Sequence, residues 1–195
     1  MSLLPIISFL LFFSSETPID ILFPPNAFSG GTVVAELHLT DGDVDEVDIL
    51  SGGEPFVSAC KSAISQWHLQ GEKDNDLLVV VHFRQPNLYY LNSAEEEISC
   101  TQAKGRLPCP NHIVGPAYPA QSLAQGSVVL KARISAGGDV SAVQVVKSMG
   151  ALTDPSADAL RKWKFAPVED DHGIAKPSSA YAVFVYRFLI TEQEK

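Results

Sequence analysis

Basic side chains are scarce in this chain. It holds 14 lysines and arginines against 23 aspartates and glutamates, a net charge of −9. That balance argues against a nucleic-acid partner, because phosphate neutralisation dominates such binding. Long apolar runs are missing too. Leu3 to Phe13 is almost wholly apolar but only eleven residues long, and a membrane-spanning helix needs about 20. Its length suits the core of a cleaved export signal over 1–18, followed by the small residues Ser14 and Ser15. A core strand of the first unit is the other reading. Catalytic signatures are also wanting: there is no Gly-x-Ser-x-Gly, His-Glu-x-x-His or phosphate-loop pattern. The five histidines are scattered, with no partner at ligand or triad spacing. No cofactor is called for. Cysteine is sparse as well, limited to Cys60, Cys100 and Cys109.

The hydrophobic fraction is 46%, enough for a packed core and unlike a disordered chain. Charge is unevenly spread. Residues 1–96 carry 3 basic and 14 acidic side chains, whereas residues 97–195 carry 11 and 9. The split suggests two units with different surfaces, either independently solvated or docked one on the other.

The second unit is organised around Gly126 to Phe165. Val128, Leu130, Ala132 and Ile134 alternate with Val129, Lys131 and Arg133, the period of a strand with one apolar face. Gly137-Gly138-Asp139 suits a tight turn, and Val140, Val143 and Val145 continue the apolar row on a return strand, allowing for a bulge. A helix is expected from an Asp154 N-cap with Pro155 at its first position. Leu152, Ala159, Leu160 and Trp163 would face the sheet, and Pro167 would stop the helix. Tyr181 to Phe188 reads as a final strand, β-branched and aromatic.

The first half repeats this plan. Gly31 to Thr40 aligns with Gly126 to Ser135 without a gap, Ala63 to Trp67 with Ala159 to Trp163, and Leu77 to Arg84 with the last strand. Phe23-Pro24 and Tyr118-Pro119 each place proline seven residues before the glycine. Glu36 and His38 stand where Lys131 and Arg133 stand in the second copy. The fold class is therefore α+β: two tandem ββαβ modules, each a small antiparallel sheet with one helix on one face. The boundaries are 19–85 for a degenerate first module, 86–106 for a linker and 107–195 for the second module.

At these residues the chain resembles the TonB C-terminal domain family. The pattern is Tyr118-Pro119, Gly126 opening a strand, the turn to Val140, Ser148, Arg161-Lys-Trp-Lys-Phe-Ala-Pro167, and an apolar last strand. The match covers roughly 115–190, with 22–85 resembling a degenerate copy. The resemblance implies a periplasmic, non-catalytic module that contacts outer-membrane receptors, a short receptor segment adding as a strand to its sheet edge. Transferred here, it implies a protein partner, with a role in TonB-linked transport. Tyr118, Pro119, Arg161, Lys162, Tyr181, Val183, Val185 and Arg187 become the partner-binding residues, with Tyr181 to Phe188 as the edge. The family's membrane anchor and Pro-rich spacer find no counterpart here, so force transmission by this chain alone is not expected. The same last strand suits self-association, two chains pairing or exchanging it as a homodimer. A third role is regulatory, the acidic half docking on the basic half and controlling access to that edge.

Other constellations carry less. Cys100 and Cys109 lie in a short linker loop that a disulfide could close in an oxidising compartment, leaving Cys60 as a buried thiol. With His112 the two cysteines also resemble three metal ligands, but a structural zinc site wants a fourth. The acidic run Asp41 to Asp48 lacks glycine at the sixth and glutamate at the twelfth position of a calcium loop. Glu169 to Gly173 sets carboxylates beside His172, as a solvated turn or, in a metal-dependent hydrolase, as an acid–base group. Trp67 and Trp163 read as core packing, with a binding anchor as the alternative.

Overall fold

The computed structural model describes residues 18, 20–72, 76–85, 95–100, 103–120 and 122–187. The expected export signal, Pro18 aside, and Phe188 lie outside them. In the first half β1 (Gly31–Thr40) and β2 (Asp43–Ser51) form a hairpin, followed by α1 (Phe56–Ile64) and β3 (Asp76–Arg84). The second half contains β6 (Gly126–Ile134), β7 (Val140–Lys147), α2 (Thr153–Leu160) and β11 (Ser178–Tyr186). Between the halves run β4 (Glu95–Glu97) and β5 (Pro110–Val114). Two-residue strands β8 (Lys164–Phe165), β9 (Val168–Glu169) and β10 (Ala175–Lys176) follow α2.

The halves do not build separate sheets. They share one six-stranded mixed sheet, in the order β2-β1-β3-β11-β6-β7. The expectation of two small antiparallel sheets is corrected here. Within each half the pairing is antiparallel, but β3 and β11 join the halves in parallel, from Ala180 opposite Leu78 to Tyr186 opposite Arg84. Parallel pairing of the last strand of each half turns one half over relative to the other. The helices accordingly pack on opposite faces. Leu37, Val79 and Val81 pack with Ile64 and Trp67 on the α1 face. Leu130, Ala132, Phe184 and Leu78 pack with Leu160 and Trp163 on the α2 face.

This geometry explains the composition of the central strands. Leu77 to Val81 and Ala180 to Tyr186 are buried throughout, with alternate residues entering each core. A strand covered on both faces reads as a continuous apolar run instead of alternating. Each helix covers only part of its face, so other segments complete the cover. Segments between the hairpins do part of this: β4 pairs with β5, β5 with β8, and Ala103, Leu107 and Ile113 enter the α2-side core. Cys100 and Cys109 are joined by a disulfide, their Cα atoms 6.0 Å apart. Cys60 is a free buried thiol whose pKa burial pushes up to about 12.

Two local details also differ from the sequence reading. A 3-10 turn, Gly150–Leu152, feeds α2, so Asp154 lies in the first turn and caps no N–H, although its charge still suits the helix dipole. The helix ends at Leu160, well before Pro167, because the chain turns back to pair Phe165 with Pro110. At the β6–β7 turn Gly138 has φ +89°, and a Cβ there would collide with the Phe165 carbonyl.

Candidate partner-binding edge

The sequence-derived site does not assemble. Tyr181, Val183 and Val185 lie in β11, flanked by β3 on one side and β6 on the other. Their side chains are buried in the α1-side core. The last strand is therefore the interior of the sheet and no edge, which corrects the expectation that a partner strand, foreign or from a second copy, pairs along it. Its equivalent in the first half already occupies the place a visiting strand would take. Tyr118 is buried on the opposite face: its hydroxyl donates to the Ala124 carbonyl at 2.8 Å and its ring lies 6.0 Å from that of Tyr186. Burial raises its pKa. Pro119 is half-buried beside it. Arg161 and Lys162 are exposed past the end of α2, Arg161 bonding Asp158 at 2.6 Å. Arg187 donates to the Pro24 carbonyl at 3.0 Å and lies over the Phe23 ring. Trp163 is fully buried, its indole N–H donating to the Val114 carbonyl at 2.9 Å, and Trp67 is equally deep. Both are packing residues.

Charge placement is more informative. Arg106 forks onto Glu36, which is buried, and also reaches Asp76 at 3.1 Å. Lys131 pairs with Glu72, which also accepts the Tyr181 hydroxyl at 2.8 Å. Lys147 pairs with Asp20. In all three pairs the cation comes from the basic half and the carboxylate from the acidic half. The charge split is thus partly an interface between halves. Glu36, His38 and Asp76 could offer ligand atoms within 4.8 Å of one another, yet the Arg106 guanidinium already supplies the counter-charge. His112 bonds Glu97 at 2.7 Å, and the disulfide removes Cys100 and Cys109 as thiolate ligands. Around His172, Asp170 accepts two backbone N–H groups, at His172 and Ile174, which is a turn and not an acid–base pair.

Among the described residues two strands are edges of the large sheet, β2 and β7. They differ in how they meet solvent. β2 carries Asp43, Asp45, Glu46 and Asp48, charges of the kind that discourage strand addition. β7 has no charge and no proline from Val140 to Val146, and Val145 is 47% exposed. Beside it on the α1 face lies a cleft of about 350 Å³ lined by His68, Glu72, Lys131, Gln144, Val145 and Tyr181. An uncharged edge next to a side-chain cleft is what strand addition uses: backbone bonds for affinity and pockets for selectivity. The open edge lies in the second half. Residues 114–188 match the Gram-negative bacterial TonB protein C-terminal family. The TonB C-terminal match starts at Val114 and takes in β6, β7, α2 and β11, leaving the first half outside it. No curated protein and no solved structure matches the chain. This family is a non-enzymatic protein-interaction domain of the Gram-negative envelope that contacts outer-membrane proteins.

Sequence reasoning missed β7 because the terminal strand looked stickier. The signal against that choice was present. An unbroken apolar run marks a strand buried on both faces, whereas the polar-spaced run Val140-Ser-Ala-Val-Gln-Val-Val146 suits an edge.

Proposed function

We propose that this protein is a non-catalytic interaction module of the periplasm, whose TonB C-terminal segment receives an extended segment of an outer-membrane or other envelope protein along β7. The observation that carries this reading is the unguarded β7 edge within the TonB C-terminal match. The Cys100–Cys109 disulfide supports an oxidising compartment. A contribution to TonB-linked transport follows from the family's receptors. The test is capture of an outer-membrane receptor from envelope extract by the full chain, compared with a Ser141→Lys/Val145→Lys variant. Charges on the edge abolish capture if β7 is the site, whereas an Asp45→Asn/Glu46→Gln change on β2 leaves it intact. Equal capture by the β7 variant and the parent refutes the assignment.

A further inference from the structure

Alternation along β6 places Val129, Lys131 and Arg133 on the α1 face, one strand in from the β7 edge. Across the ladder Lys131 faces Gln144 and Arg133 faces Ala142. The edge positions of this face are thus small or neutral, with cations directly behind them. Lys131 is neutralised by Glu72, and Lys147 by Asp20. Arg133 is exposed, and no carboxylate lies within ion-pair distance of it among the described residues. Its other cross-strand neighbour, Ser179 on β11, is uncharged. A strand added to β7 would place a side chain opposite Ala142 about 10 Å from the β6 backbone, two strand spacings away. An arginine and a carboxylate extended toward each other close that gap. The opposite edge presents four carboxylates, so the two edges of the sheet differ in electrostatic character.

We infer that the β7 edge selects an extended acidic segment, with a carboxylate opposite Ala142 engaging Arg133 across the top of the edge strand. The inference rests on β7 being the docking edge, and it adds the chemistry of what docks. The occupant is a strand of another protein with a carboxylate at the position opposite Ala142. A second copy offering its acidic β2 is the rival.

The test uses the full chain and three labelled eight-residue peptides that alternate valine with glutamate, serine or lysine, read by fluorescence anisotropy. The glutamate peptide is expected to bind at least tenfold more tightly than the lysine peptide at low salt. That preference shrinks in 0.5 M NaCl, as exposed charge contacts do, and reverses in Arg133→Glu. Equal binding of the glutamate and serine peptides, or a preference unmoved by Arg133→Glu, overturns the inference while leaving β7 as a docking edge. Binding of none of the three removes the docking edge itself, and the inference with it. Light scattering supplies the remaining arm. Concentration-dependent oligomers that Arg133→Glu dissolves would assign the edge to a second copy and overturn the foreign acidic segment.

Discussion

Three side chains decide much of the chemistry. His82 sits on β3, buried, with Nδ1 3.0 Å from the Thr32 hydroxyl, which itself donates to Glu96 at 2.8 Å. The hydroxyl proton being committed to Glu96, His82 donates through Nδ1–H and is neutral. Burial, with Arg84 adding to it, pushes its pKa down to about 4. Between the ordinary value near 6.5 and that value, the unfolded chain binds a proton that the native chain refuses. Stability therefore falls on acidification, by about 3 kcal/mol over the window. Urea unfolding at pH 7.5 and 4.5 should show this loss, and His82→Phe should flatten it. His38 works in the opposite sense. Desolvation lowers its pKa, but hydrogen bonds with Asp76 and Asp48 outweigh that and raise it. Its contribution is full below about pH 6.5 and is lost as pH rises through the raised value, so His38→Gln should steepen the acid loss. Trp163 is the packing case. Trp163→Ala should cost about 3–5 kcal/mol in urea unfolding, because it empties a fully buried site and orphans the Val114 carbonyl.

At the scale of elements, β3 and β11 carry the fold. Each is hydrogen-bonded on both sides and buried on both faces. Val81→Pro removes a ladder donor and introduces a ring clash in a central strand. It should abolish native near-UV circular dichroism in the whole chain, not in the first half alone. At the β6–β7 turn, Gly138→Ala should destabilise through its left-handed φ and the collision with Phe165, an effect thermal unfolding would register. The individual elements were largely legible in the sequence. Period-two alternation locates β1 and β6, the glycine turns locate the hairpins, and helical spacing finds Ala159 and Leu160 but not Ser156 and Ala157 on the buried face of α2. What was illegible was which strand meets which. Alternation says how many faces of a strand are wet, but pairing between halves is a long-range choice with no local signature. The apolar character of β11 suggests an open edge in the sequence, but it reflects neighbours already present on both sides. The expected binding site fails for the same reason, because Tyr181, Val183 and Val185 sit in this interior strand.

At the scale of the molecule, the two halves share one sheet. The β3–β11 junction is apolar, and the ion pairs across the halves surround it. Because each core holds one tryptophan, variants retaining only Trp67 or only Trp163 report the cores separately. Conservative Trp→Phe versions should unfold at the same urea midpoint by both probes, in 0.1 M and 1 M NaCl alike, since partly exposed ion pairs contribute little and apolar burial is not screened. Two resolved midpoints would show the halves to be independent. A last consequence follows from Arg187, whose guanidinium reaches the Pro24 carbonyl while its backbone N–H donates to Arg84. The start of the first half and the close of the second are thereby neighbours in space. A circular permutant, stitched from Arg187 to Pro24 and reopened between Gln85 and Glu95, would keep every sheet neighbour while reversing which half the ribosome makes first.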